Sequence, residues 1–130
     1  VGPRQQDEEN VLIIGAGKIG RQLAEQFAQE RWTGLTVIGF LDDDPAKTGK
    51  RFVDLPVIGK TGDVVDVVKA HHVDEVVFAL PLRAHRALEN LVLALQEYPV
   101  RVHVVPDYFD LAYFKATIEN YGGIPLIGLR

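Results

Sequence analysis

The sequence predicts an α/β fold, a single domain built on one doubly wound parallel sheet, and three observations predict it. Short, largely apolar runs of strand length recur at residues 11–14, 36–41 and 75–80. Segments with apolar residues at helical spacing lie between them. A glycine-rich turn, Gly15-Ala16-Gly17-Lys18-Ile19-Gly20, joins the first run to the first helical segment. Largely apolar runs suit strands buried on both faces, and strands alternating with helices imply right-handed crossovers within a parallel sheet.

Residues 1–10 are polar, charged and without periodicity, and are expected to be a linker ahead of a domain at 11–130. The strand at 11–14 ends at Gly15. Residues 18–31 follow as a helix, with Ile19, Leu23 and Phe27 four apart and Ala24 and Ala28 beside them on one apolar face. The second strand, 36–41, is broken by Asp42-Asp43-Asp44-Pro45. Residues 47–60 read as a loop with a short apolar piece at Leu55-Pro56-Val57-Ile58. Thr61-Gly62-Asp63 resembles a helix cap. The valines after it (Val64, Val65, Val67, Val68) favour a strand by propensity, but the cap and the spacing of Val64 and Val68 favour a helix, which is the expectation adopted. The third strand, 75–80, is stopped by Pro81. The helix at 83–98 carries Leu88, Leu91, Val92 and Leu95 on one face, and Pro99 ends it. Val100, Val102 and Val104 alternate with Arg101 and His103 as a half-exposed strand near the sheet edge. A helical turn at 107–111, a strand at 113–118, a turn at Gly122-Gly123 and an extended tail at 124–129 complete the reading. The expected core order of the strands is 2-1-3-4, with helices on both faces.

Composition narrows the function. The net charge is −4, which argues against a nucleic-acid partner, because such binding needs a basic surface. There is no cysteine, which removes thiolate metal sites, disulfides and cysteine nucleophiles. The chain also lacks methionine, even at position 1, so it is expected to be part of a longer protein, and no membrane span is visible within it.

G-x-G-x-x-G is weak alone, but here it leaves a buried strand and opens a helix. Gly15 allows the tight turn, Gly17 lets a pyrophosphate approach the backbone, and Gly20 lets helix and strand pack closely. The helix start then offers N–H groups and partial positive charge to phosphate. This is the mark of a Rossmann dinucleotide-binding turn. Asp42 ends the second strand 22 residues after Gly20, where an acid accepts hydrogen bonds from ribose hydroxyls. Its charge favours NAD over NADP, an inference softened by Lys47, Lys50 and Arg51 nearby. The candidate cofactor-binding residues are Gly15, Ala16, Gly17, Lys18, Ile19, Gly20, Asp42, Asp43, Leu80, Pro81 and Arg83; the last three stand at the carboxyl end of the third strand, where ligands sit in such sheets.

Other features carry less. The three aspartates at 42–44 read as one ribose ligand and a solvated turn rather than a metal site. His71, His72, His85 and His103 lack ligand spacing and are read as surface residues. Thr48-Gly49-Lys50 is no P-loop, since Asp44 stands where the upstream glycine belongs. No Tyr-x-x-x-Lys pair exists, and no catalytic or metal-binding residue is assigned.

The runs Val11-Leu12-Ile13-Ile14-Gly15-Ala16-Gly17, Val37-Ile38-Gly39-Phe40-Leu41-Asp42-Asp43-Asp44-Pro45, Leu55-Pro56-Val57-Ile58-Gly59 and Val73-Asp74-Glu75-Val76-Val77-Phe78-Ala79-Leu80-Pro81 occur in one order. Together the chain resembles the CoA-binding-like Rossmann domain of bacterial polyprenyl glycosylphosphotransferases. The same domain type precedes the catalytic part of nucleotide-sugar dehydratases, but Val105-Pro106-Asp107-Tyr108-Phe109-Asp110-Leu111 and the tail from Gly122 resemble the exit toward a sugar transferase. The resemblance implies membrane helices upstream and a transferase domain downstream. That transferase would move a sugar phosphate from a UDP-sugar to undecaprenyl phosphate, beginning exopolysaccharide or O-antigen synthesis. It implies a nucleotide-binding accessory domain on the cytoplasmic face of the bacterial inner membrane, with NAD as the leading ligand and a UDP-sugar or CoA as the others. The alternatives are the N-terminal domain of a nucleotide-sugar dehydratase or epimerase, and a non-binding scaffold that pairs subunits as a homodimer through residues 100–104 or the apolar tail.

Overall fold

The computed structural model describes residues 8–29, 34–79, 85–105 and 127–128. Its elements run β1 (Glu9–Ile14), α1 (Lys18–Gln29), β2 (Leu35–Leu41), β3 (Arg51–Phe52), β4 (Leu55–Gly59), α2 (Val64–His71), β5 (Glu75–Phe78), α3 (His85–Leu95), β6 (Arg101–Val104) and β7 (Ile127–Gly128). The sheet order is β3-β4-β2-β1-β5-β6-β7. Its parallel centre β2-β1-β5-β6 is the expected 2-1-3-4 core. The short strands β3 and β7 pair antiparallel at the two edges.

Two expectations change. The apolar piece at 55–58 is not loop but strand β4, parallel to β2. Its Pro56 hid it, because proline suits only strands near an edge. Here β4 has the two-residue β3 as its outer neighbour, and Arg51 pairs with Pro56. Residues 9 and 10, placed in the linker, belong to β1. Glu9 N–H donates to the Gly34 carbonyl at 2.7 Å, and Asn10 N–H donates to Asp74 Oδ2 at 2.8 Å. Polar side chains disguised them, because a strand entering a sheet at its rim is still half wet. The valine-rich segment is the helix α2, ended by His72 in the left-handed conformation (φ 53°).

Strand pleating sends alternate residues to opposite faces. One face carries Val11, Ile13, Phe40, Val57 and Val77 against Leu23, Ala24 and Phe27 of α1. The other carries Leu12, Ile14, Leu41, Val76, Phe78 and Val102 against Val64, Val67 and Val68 of α2 and Val92 and Leu95 of α3. The chain leaves β1 toward β2 in one direction and crosses to β5 in the other. With right-handed crossovers, that reversal puts α1 alone on one face and α2 and α3 together on the other. The carboxyl ends of β1 and β5 lie at the reversal, the position where α/β sheets bind ligands.

At the opposite, amino end of the sheet stands an ionic cluster gathered around the buried Glu75. Glu75 opens β5 and Arg101 opens β6 as direct register partners. Glu75 accepts from Arg101 Nη2 at 2.9 Å and meets His103 Nε2 at 2.7 Å, and Glu9 joins through Arg101 at 2.5 Å. Glu75 is the buried charged residue of the described core. His103 was expected at the surface, but its side chain is only 15% exposed. The alternation that put it outward did not show that Glu75 of the neighbouring strand meets its Nε2.

Candidate functional site

The glycine turn occupies the carboxyl end of β1. Gly15 is buried with φ 107°, a conformation that favours glycine, and its N–H donates to the Leu41 carbonyl at 2.7 Å. A Cβ on Gly20 would lie 1.9 Å from the Gly15 carbonyl oxygen, so this glycine is what allows α1 to rest on the loop. A Cβ on Gly17 would meet nothing within 4 Å. Gly17 is therefore required neither by its own backbone nor by packing, and the space above it is open to an incoming group. The first intrahelical bond runs from Arg21 N–H to the Gly17 carbonyl at 2.9 Å. The N–H groups of Lys18, Ile19 and Gly20 precede it and have no partner inside the helix. The residues present thus fit a pyrophosphate.

Asp42 follows β2 beside this loop. Its Oδ2 accepts from Ala16 N–H at 2.7 Å, and its Oδ1 accepts from Asp44 N–H at 2.8 Å. Lys47 Nζ lies 3.5 Å from Oδ2. Burial would raise the Asp42 pKa, but the N–H donors of Asp44 and Ala16 and the Lys47 ammonium outweigh it and hold the carboxyl below its ordinary value. The carboxylate therefore fastens the glycine loop to the end of β2.

The expected site residues divide accordingly. Gly15, Gly17, Lys18, Ile19, Gly20 and Asp42 stand together at the carboxyl ends of β1 and β2. Ala16 is fully buried and its N–H donates to Asp42, bracing the loop. Asp43 turns away: its carboxylate accepts from Thr61 N–H at 2.9 Å and Thr61 Oγ1 at 2.8 Å, tying the β2 end to the start of α2. Asp44 caps the short 3-10 turn Pro45–Lys47 through Ala46 N–H at 2.9 Å. Leu80, Pro81 and Arg83 lie outside the described residues, as do the expected elements at 107–111 and 113–118 and the Gly122-Gly123 turn. Among the described residues no cluster of three His, Asp or Glu side chains is placed to hold a metal. Lys47 went unassigned, although an i, i+5 acid–base pair spanning Pro45 was a readable signal. Arg21, packed 4.8 Å over the Phe52 ring at the rim of the loop, had none, since β3 was unforeseen.

A model of the CoA-binding domain family matches residues 3–106. The chain belongs to that family. Over 126 residues this CoA-binding domain is 27% identical to a UDP-glucose:undecaprenyl-phosphate glucose-1-phosphate transferase of Xanthomonas campestris pv. campestris, taking in 95% of the chain but 26% of the transferase. The domain thus spans about a quarter of that relative's length. A redox-sensing transcriptional repressor Rex of Thermotoga petrophila is 31% identical over 103 residues, 75% of this chain and 49% of the repressor. Among solved structures, UDP-D-quinovosamine 4-dehydrogenase from Vibrio fischeri superposes with a TM-score of 0.70 at 25% identity, covering 94% of this CoA-binding domain and 95% of that chain.

Proposed function

We propose that the chain is a nucleotide-binding accessory domain, without a catalytic group of its own, in a membrane sugar-phosphate transferase that initiates exopolysaccharide or O-antigen synthesis. The observation that carries this is the open backbone at Gly17 above an N-terminal helix turn, next to the carboxylate of Asp42. A pyrophosphate fits there, and a ribose follows toward Asp42. The transferase parentage rests on near-complete alignment of this chain with one quarter of such an enzyme. NAD is the leading ligand, in keeping with a relative named as redox-sensing and a structural neighbour named as a dehydrogenase. A UDP-sugar or CoA is the other choice, CoA being the ligand in the family's name. The domain would lie on the cytoplasmic face of the inner membrane and report ligand supply to the transferase domain. None of the described helices is long and apolar enough to cross a membrane.

Thermal unfolding with NAD⁺, NADH, UDP, UDP-glucose and CoA tests the reading. A ligand at about 100 times its dissociation constant adds roughly 2.7 kcal/mol of stability. Gly17→Ala is the matched control, because its methyl group strains nothing in the fold yet occupies the pyrophosphate approach. A selective upward shift that Gly17→Ala abolishes is the expected result. No shift with any nucleotide overturns the proposal and leaves the glycine loop as a packing device.

A further inference from the structure

A bare aspartate at the end of β2 would accept two ribose hydroxyls and repel a phosphate on that ribose. Asp42 is not bare. A carboxylate has about four acceptor positions. Two are engaged by backbone donors, Ala16 N–H on Oδ2 and Asp44 N–H on Oδ1, and the Lys47 ammonium stands 3.5 Å from Oδ2 as an ion-pair partner, so only part of the carboxylate is left for a 2′,3′-diol.

Lys47 also cancels the charge of Asp42, and the fold builds it into place. It ends the 3-10 turn Pro45–Lys47, which Asp44 caps, and its N–H donates to the Asp44 carbonyl at 2.9 Å. Its side chain is 23% exposed, so the ammonium is steered rather than free. At 3.5 Å from Oδ2 it is beyond the range of a good hydrogen bond and can turn to another anion without breaking one. Asp42 would keep its two backbone donors if it did. The flanking acids are similarly occupied, Asp43 by Thr61 and Asp44 by Ala46. Of the other cations on this loop, Arg51 is committed to the Asp54 carbonyl at 2.6 Å.

We propose that Lys47 is a specificity-determining residue that receives a phosphomonoester on the 2′ or 3′ oxygen of the bound ribose, so that the domain prefers ribose-phosphorylated nucleotides to their unphosphorylated counterparts. The inference rests on the nucleotide-binding reading of the same loop and reverses the discrimination that Asp42 alone would impose. The gain comes from charge-assisted hydrogen bonds between ammonium and phosphate, which are stronger than those a hydroxyl makes.

Calorimetric titration of the domain with two pairs tests it: NADP⁺ against NAD⁺ for the 2′ position, and CoA against 3′-dephospho-CoA for the 3′ position. The phosphorylated member of one pair is expected to bind at least about tenfold tighter, a difference of about 1.4 kcal/mol. Lys47→Ala should bring that pair to within about threefold, by weakening only the phosphorylated member, and Lys47→Arg should keep the preference. The pair that responds names the phosphate position. Equal or tighter binding of the unphosphorylated member in both pairs, or a preference that survives in Lys47→Ala, overturns the role of Lys47. If those unphosphorylated nucleotides still bind and Gly17→Ala abolishes it, the nucleotide-binding reading stands without Lys47. If nothing binds the folded wild-type domain, both fall together.

Discussion

Two carboxylates stand at opposite ends of one sheet, and their surroundings differ in kind. Glu75, at the amino end of β5, is met by the Arg101 and His103 side chains from the next strand and, through Arg101, by Glu9. Burial would push its pKa up, but the hydrogen bonds of His103, Glu9 and Arg101 bring it down to about 2. Glu9 moves the other way, raised chiefly by its hydrogen bond to Glu75 and by burial. Asp42, at the carboxyl end of β2, is held mostly by backbone N–H groups and by one lysine standing off at 3.5 Å. The first cluster closes on itself and locks strands together. The second holds a loop in shape while keeping acceptor capacity and a steerable cation beside open backbone. One sheet thus separates an ionic cluster that ties strands together from a carboxylate that stands beside open backbone at Gly17.

The sharpest way to break this contrast is at the joint between loop and helix. Gly20→Ala places a methyl group against the Gly15 carbonyl, a backbone atom that cannot swing aside. A loss of about 3 kcal/mol is expected in denaturant titration, together with loss of any nucleotide response. Next comes Glu75→Gln, which leaves His103 without its anion and Arg101 with Glu9 alone. It should cost about 2–3 kcal/mol and leave nucleotide affinity unchanged, which ligand-shift measurements would check.

The same residue sets the acid response. Its folded pKa lies below the ordinary 4.5, so its contribution is complete above that pH and is lost as pH falls toward about 2. That linkage amounts to about 3 kcal/mol at most, and Glu9, shifted upward, trims it. Unfolding free energy measured from pH 6 to about 2 should fall steeply in wild type and more gently in Glu75→Gln.

Asp42→Asn should cost less, about 1 kcal/mol, because the amide oxygen keeps one of the two backbone donors and water reaches the other. Smallest is Gly17→Ala, expected to raise stability without nucleotide by about 0.5 kcal/mol through loss of chain entropy in the unfolded state, since its backbone does not need glycine. Destabilisation by this variant would mean that Gly17 is a packing residue like Gly20, and the distinction between the two ends of the sheet would collapse.

Much of this was legible in one dimension. Apolar runs of strand length and helical spacing are local patterns, so β1, α1, β2, α2, β5, α3 and β6 could be read from the chain, and with them the parallel core order. The glycine spacing marked the loop, because Gly15 and Gly20 meet a steric demand that no other residue satisfies. Strand β4 and the start of β1 were not legible, since Pro56, Glu9 and Asn10 owe their strand state to neighbours far along the chain. Tertiary structure alone decided what the charged side chains do. It tied Asp43 to Thr61, spent the Ala16 N–H on Asp42, set Lys47 beside that carboxylate and closed Glu75 between Arg101 and His103. Hydrophobic periodicity is a property of neighbours in sequence. The partners of a charge are chosen by strand register and sheet order, which exist only once the chain has folded.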